Sequence, residues 1–230
     1  MTSLLEKIIS IIAPNHCIVC SKENNVLCES CLWSVFGEPL DMCYVCGKPT
    51  LDSQVCLACR ASTPLKHVWI GGTYEGVRRE LIRKYKFERL YSAHSVLVDA
   101  LDATVPYLAD DIVVVPVPTA STRARARGYG HVELIAKGMA RKRGLQYAAA
   151  LRRRHDRRQV GASRPQRSAQ AQSAYEIVDA GLVSGKRILL VDDVTTSGAT
   201  LSATARLCKQ AGALEVNAVV VAKATKLETV

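Results

Sequence analysis

Four C-x-x-C pairs occupy the first quarter of the chain. Eight of the nine cysteines form them, as Cys17/Cys20, Cys28/Cys31, Cys43/Cys46 and Cys56/Cys59. A C-x-x-C turn directs two sulfurs toward one point, which is half of a tetrahedral zinc site. Four such turns predict two structural Cys₄ sites, whose metals supply the folding energy of a module too small to bury its own core.

A disulfide framework or an iron–sulfur cluster would use the same cysteines. The opening residues do not read as a secretory signal, because Glu6 and Lys7 interrupt their apolar stretch and no small-residue cleavage site follows. We therefore expect a cytoplasmic location, where reduced thiolates persist and bind metal. The spacing allows a cross-brace or a sequential pairing of the four motifs, and we favour the sequential one.

Charge and hydropathy narrow the classes of partner. The formal net charge is +10, and eight thiolates with two zinc ions would lower it to about +6. Lysine and arginine crowd four segments, residues 78–89, 123–127, 141–143 and 152–167. Such clusters suit phosphate-rich small molecules or nucleic acid. No apolar run reaches the roughly 18 residues of a membrane span, so membrane insertion is not expected.

The pattern beyond Thr63 and Pro64 changes to alternating strands and helices, so we divide the chain into residues 1–64 and 65–230. Residues 1–64 hold the zinc module, preceded by a short helix that ends near Pro14. The predicted strands cover residues 67–74, 111–118, 174–178, 187–194 and 216–224. The predicted helices cover residues 75–89, 93–108, 131–144 and 199–212. Apolar strands alternating with helices predict an α/β fold, with a parallel sheet and helices on both of its faces.

The segment ILLVDDVTTSGATL, residues 188–201, is the strongest functional motif. A buried strand ends at Asp192 and Asp193, and a loop of small and hydroxyl residues leads into a helix. Backbone N–H groups at a helix N-terminus bind anions, and Gly198 allows close approach. The two acids suit ribose hydroxyls or a divalent cation that bridges them to a polyphosphate. The motif therefore predicts a site for a ribose 5-phosphate.

This loop resembles the ribose-phosphate loop of type I phosphoribosyltransferases, and the order of motifs resembles the ComF family, in which a double zinc ribbon precedes a phosphoribosyltransferase domain. The resemblance includes the four cysteine pairs and three further segments, YEGVRRELIRKYKF (74–87), VPVP with R-A-R-A-R-G-Y (115–129) and QVGASRPQR (159–167). One departure stands out. Gly130 and His131 occupy the place where the family usually has Asn-Gln.

The resemblance implies a site for 5-phosphoribosyl 1-diphosphate (PRPP) with Mg²⁺. Asp192 and Asp193 would bind the ribose hydroxyls as the catalytic pair. The residues implied to bind PRPP are Thr195, Thr196, Ser197, Gly198, Ala199, Thr200, Arg123, Arg125 and Arg127. The Arg-rich stretch 152–172 is long for a loop inside a domain, which favours a mobile lid. Its residues Arg152, Arg153, Arg157 and Arg158 are candidate contacts of pyrophosphate or nucleic acid.

The ComF resemblance also implies a role in DNA uptake during natural transformation, with single-stranded DNA and possibly a helicase as partners. An active phosphoribosyltransferase of nucleotide metabolism with an unknown acceptor is the alternative, and a PRPP-sensing regulator is a third. Basic clusters with interspersed aromatic residues favour a single-stranded DNA contact. We therefore expect a PRPP-binding protein that handles DNA.

Overall fold

A computed structural model describes residues 16–23, 25–88, 90, 92–119, 130–154 and 174–224. Several predicted features lie outside these residues. They are the N-terminal helix, the QVGASRPQR segment, Arg123, Arg125, Arg127, Arg157 and Arg158.

The centre of the fold is a five-stranded parallel sheet with strand order β1-β7-β6-β2-β3. Its strands are β1 (Val68–Ile70), β2 (Ile112–Pro116), β3 (Gln146–Tyr147), β6 (Arg187–Thr195) and β7 (Glu215–Lys223). The long strands are runs of valine, isoleucine and leucine that are buried on both faces, as parallel strands require. Because all five run the same way, their carboxyl ends meet at one edge.

Two short strands stand apart from this sheet. β4 (Leu151–Arg153) and β5 (Tyr175–Ile177) form a separate antiparallel pair. The prediction that residues 174–178 join the parallel sheet was therefore wrong. Arg152 lies opposite Glu176, and the two side chains form an ion pair. A strand with such charged, partly exposed positions cannot be enclosed between two helical layers.

The described residues form six α-helices. They are α1 (Glu29–Phe36), α2 (Leu57–Arg60), α3 (Gly76–Phe87), α4 (Ala93–Thr104), α5 (His131–Arg143) and α6 (Ala199–Gln210). α4 ends four residues earlier than the sequence pattern predicted, because Pro106 disfavours helical backbone at Val105, which is extended with φ −101° and ψ 134°. None of the described helices has the length and apolar character to cross a bilayer.

The apolar core has two layers, one on each face of the sheet. Leu189 and Val191 of β6 pack into one layer with residues of α3, α4 and α5. Ile188 and Leu190 point the other way and pack with Leu201 and other residues of α6. This alternation along a single strand places helices on both faces, which confirms the predicted fold class.

The cysteine module, residues 16–64, contributes to both layers. Its first half adds Cys17, Cys28 and Phe36 to the layer of α3 and α4. Its second half adds Tyr44 and Val55 to the layer of α6. The two halves of the module therefore pack on opposite faces of the sheet and do not enclose a separate core.

Candidate functional site

Eight thiols of the cysteine module form two groups of four. In each group the sulfurs lie within 4.8 Å of one another, and the members are Cys17, Cys20, Cys28 and Cys31 in the first and Cys43, Cys46, Cys56 and Cys59 in the second. This is the sequential pairing that we favoured. It arises because α1 begins directly after Cys28 and α2 directly after Cys56, so each second pair lies at a helix start that faces the preceding C-x-x-C turn.

The two donor sets fit zinc. A tetrahedral ion with Zn–S bonds of about 2.3 Å holds its sulfurs about 3.8 Å apart. The sulfurs of Cys20 and Cys28 are 3.6 Å apart, and those of Cys46 and Cys56 are 3.7 Å apart. Burial raises the pKa of the Cys43 thiol, but backbone N–H donors more than offset this and bring it to about 7. These features favour thiolates that would bind zinc as a closed structural site.

The loop between β6 and α6 lies at the carboxyl edge of the sheet. Gly198 immediately precedes the helix with φ 72° and ψ 5°, in the left-handed region that favours glycine. No side chain of the described residues caps α6, so N–H groups of its first turn remain available to an anion. Thr196 and Ser197 are exposed beside them, whereas Thr195 is buried. The predicted phosphate loop therefore has the backbone geometry of an anion site.

Asp193 is buried and contacts two basic side chains. Its Oδ1 atom accepts from Lys86 Nζ of α3 at 2.8 Å, and its Oδ2 atom contacts His131 Nε2 of α5. Burial alone would raise the pKa of this carboxyl, but Lys86 and His131 hold the pKa well below its usual range. Asp193 is therefore an ionised anchor that connects two helices to the end of β6.

Asp192 has a different environment from its neighbour. Its side chain is partly exposed, and its Oδ1 atom accepts the backbone N–H of Asp193 at 2.9 Å. Burial, followed by the negative charge of Asp193, raises the pKa of Asp192 to about 8. The adjacent acids thus divide into one that is paired with Lys86 and bonded to His131, and one that no described basic side chain contacts directly. Asp192 is the carboxyl better placed to meet a ligand.

The predicted arginines that the structure describes lie on the β4–β5 pair. Arg152 is bound to Glu176, with 2.6 Å between Nη2 and Oε1, and Arg154 shares the same carboxylate. The guanidinium of Arg153 stacks over the Tyr175 ring at 5.5 Å. The predicted lid covered residues 152–172, but Arg152 and Arg153 belong to the paired strand β4, so the prediction was wrong for the start of that segment.

A small pocket of about 140 Å³ lies at the carboxyl end of β2. It is lined by the segment after β2, including Pro118, and by Glu133, Tyr147 and Leu151. The last residue of β2 pairs with Val191, which directly precedes Asp192. The pocket therefore opens at the same edge of the sheet as the loop.

Sequence reasoning missed several residues of this site. Lys86 was one of many basic residues in its segment, and nothing in the local pattern distinguished the one that reaches Asp193. His131 was noted only as a departure from the usual Asn-Gln. Tyr44 and Lys223 flank the β6–α6 loop from the cysteine module and from β7, and only the folded chain brings Lys223 Nζ to the backbone carbonyl of Tyr44. A buried acid pair that requires neutralising cations was the one available signal.

One family model and two competence proteins match the sequence of this chain. A family model described as phosphoribosyl transferase domain matches residues 113–229. Competence protein ComFC of Streptococcus pneumoniae is 27% identical over 199 residues, covering 84% of this chain and 86% of that protein. Competence protein F of Haemophilus influenzae is 27% identical over 204 residues, covering 84% and 88%. Each match must extend into the cysteine module, which confirms the resemblance found in the sequence.

A solved structure, described as the allosteric regulatory enzyme of purine biosynthesis, is 26% identical with a TM-score of 0.39. The match covers 56% of this chain and 26% of that enzyme, so the chain spans about a quarter of its length.

We predict two zinc ions per chain, because both thiol groups have tetrahedral spacing. Replacing one exposed ligand in either group, Cys20→Ser or Cys46→Ser, should lower the metal content to one. Metal analysis of purified protein by mass spectrometry measures this directly. A single zinc in the unmodified chain would contradict the assignment of two equivalent sites.

We also predict opposite stability effects for the two acids. Asp193→Asn should lower the free energy of unfolding at pH 7 by about 3 kcal/mol, because it leaves Lys86 partly buried without its counter-charge. Asp192→Asn should leave stability equal or higher, since it removes a carboxyl whose ionisation is disfavoured by burial and by the charge of Asp193. Urea unfolding of the zinc-loaded proteins measures both, and equal losses in the two variants would refute the division of roles.

The effect of Asp192→Asn should depend on pH. The folded chain keeps the Asp192 proton up to a pH of about 8, whereas an unfolded carboxyl with the ordinary pKa of 3.8 loses it earlier. The folded state thus binds more protons in this window, so Asp192 reduces stability as the pH rises from about 4 to 8. The gain in free energy of unfolding from Asp192→Asn should therefore grow from about pH 4 to about pH 8 and stay constant at higher pH.

Proposed function

Because this chain belongs to the phosphoribosyl transferase domain family, we propose that its β6–α6 loop and Asp192 bind the ribose 5-phosphate part of PRPP. One observation carries the proposal. Gly198 precedes an uncapped helix only six residues beyond Asp192, a partly exposed carboxyl that forms no ion pair with a described side chain. The phosphate of a sugar phosphate would bind the N-terminus of α6, and its ribose hydroxyls would donate to the carboxyl of Asp192.

Each part of the loop has a distinct role in this proposal. The N–H groups of the first turn of α6 would hold the phosphate, and the left-handed turn at Gly198 directs them toward it. The hydroxyls of Thr196, Ser197 and Thr200 would add donors.

Asp192 would accept from ribose hydroxyls, which favours its ionised form on binding. Asp193 would hold the end of β6 against α3 and α5 through its contacts with Lys86 and His131.

Mg²⁺ would neutralise part of the pyrophosphate charge when PRPP binds. Asp192 offers the carboxylate oxygens that this cation prefers. Arg123, Arg125 and Arg127 follow β2 in the chain, and we retain them as proposed pyrophosphate contacts. Transfer of the ribose phosphate to an acceptor, and regulation by PRPP without turnover, are the two outcomes that this site would support.

Single-stranded DNA is the second proposed ligand. The curated relatives are competence proteins, and this chain carries a formal net charge of +10. Phe87 is 64% exposed and directly follows Lys86, whose side chain contacts Asp193. Aromatic rings beside basic residues stack bases and hold phosphates. We therefore propose a cytoplasmic role in DNA uptake, with a helicase as a candidate protein partner.

We expect PRPP to bind in a magnesium-dependent manner, with affinity lost in the Asp192→Asn/Asp193→Asn double variant. Asp192→Asn alone is the sharper test, because this variant should retain full stability. Calorimetric titration with and without Mg²⁺ measures the affinity. Unchanged binding by a correctly folded Asp192→Asn protein would sink the assignment of this carboxyl.

For single-stranded DNA we expect an affinity that falls steeply as salt is added, because phosphate contacts release counterions. Phe87→Ala should weaken binding by about fivefold or more if the ring stacks on a base. Tyr107→Ala is the matched control, since Tyr107 is 88% exposed but precedes β2, at the opposite edge of the sheet. Fluorescence anisotropy with a labelled oligonucleotide decides between stacking and no contact, and equal effects of the two variants would exclude a specific role of Phe87.

A further inference from the structure

One residue of the cysteine module contacts the phosphate loop directly. Tyr44 lies between Cys43 and Cys46, and its side chain is 1% exposed. A Cβ atom placed on Gly198 would lie 2.3 Å from Tyr44 Cε2 and 2.5 Å from Cδ2. No side chain fits between them, so glycine is required here by this contact as well as by its positive φ. The ring of Tyr44 forms one wall of the turn that begins α6.

The same tyrosine is anchored on two sides of the loop. Its hydroxyl lies 2.7 Å from Ser202 Oγ in the first turn of α6 and donates to Thr63 Oγ1 at 2.7 Å. Its backbone carbonyl accepts from Lys223 Nζ, and Lys223 pairs with Thr195 at the end of β6. Tyr44 therefore connects the strand before the loop, the turn at Gly198 and the helix after it.

The first half of the module provides an internal comparison. The C-x-x-C turns at Cys17 and Cys43 have the same backbone hydrogen bonds, with Cys17 N–H donating to Lys22 O at 2.9 Å and Cys43 N–H to Lys48 O at 2.8 Å. Ile18 occupies the position that corresponds to Tyr44. It packs against the layer of α3 and α4, on the opposite face of the sheet from α6. Only the second turn reaches the phosphate loop among the described residues.

We propose that Tyr44 is a positioning residue of the phosphate loop, and that the second cysteine group is a structural part of the ligand site. The four thiols of that group would hold zinc, which fixes the turn that carries Tyr44. Loss of the metal from the second group then loosens the loop, whereas loss from the first group does not. This inference rests on the proposed PRPP function for its binding readout, but its structural part concerns only Tyr44 and the loop.

The first experiment compares Tyr44→Ala with Ile18→Ala, the matched position of the other turn. We expect the dissociation constant for magnesium PRPP to rise about tenfold or more in Tyr44→Ala and to stay within about threefold of wild type in Ile18→Ala. Tyr44→Phe keeps the ring against Gly198 and loses only the hydroxyl contacts, so it should recover most of the affinity. Equal weakening by Tyr44→Ala and Ile18→Ala, or none by Tyr44→Ala, would overturn the proposal.

The second experiment tests the metal with the paired ligands Cys46→Ser and Cys20→Ser. Both should lose one zinc, but only Cys46→Ser should weaken PRPP binding about tenfold or more. Hydrogen exchange of residues 195–202 gives a readout that does not need PRPP. Faster exchange there in Cys46→Ser and Tyr44→Ala, with unchanged exchange in Cys20→Ser and Ile18→Ala, supports the positioning role.

The two readouts separate failure of this inference from failure of the proposed function. If the wild-type chain does not bind PRPP, the function is wrong, and hydrogen exchange still decides whether Tyr44 holds the loop. If the wild-type chain binds PRPP but exchange in residues 195–202 is the same in all four variants, Tyr44 does not position the loop.

Discussion

The buried charge of Asp193 is the constraint on which the site depends. An ionised carboxylate with 5% of its surface exposed requires cations within hydrogen-bonding distance. Lys86 supplies a cation from α3 and His131 a hydrogen bond from α5, so a single side chain at the end of β6 connects both helices to the carboxyl edge of the sheet. The same arrangement leaves the neighbouring Asp192 without such cations. Two identical residues thus differ in charge state and in availability to a ligand.

The cysteine module is too small to form an apolar core of its own. With fewer than 50 residues in its described part it has little apolar surface to enclose, and each half instead joins one layer of the larger core. Zinc in the two thiol groups would fix the backbone of each half. In the second half this would hold Tyr44 in place, and its ring lies against Gly198. The second cysteine turn and the glycine turn before α6 are therefore packed neighbours, although their residues are far apart in sequence.

The β4–β5 pair shows where pattern reasoning failed. Residues 174–178 have the apolar and aromatic character of a strand, and a strand is what they form. Their partner could not be read from the pattern, because Leu151–Arg153 resembles the start of a polar loop. In the pair Glu176 meets Arg152 and Arg154, a contact between residues more than twenty positions apart. The same long-range dependence hid Lys86 among other basic residues.

The sequence by itself determined what depends on spacing and periodicity. It determined the four thiol pairs, the apolar strands of a parallel sheet with helices on both faces, and the glycine and hydroxyl loop that follows two acids. Only the tertiary structure decided which acid is neutralised, which cations neutralise it, and which residue of the cysteine module lies against Gly198. The physical reason is that local patterns fix backbone conformation and burial. Charge balance and steric contact at the site instead require side chains from β6, α3, α5 and the second cysteine turn to meet, and only the folded chain brings them together.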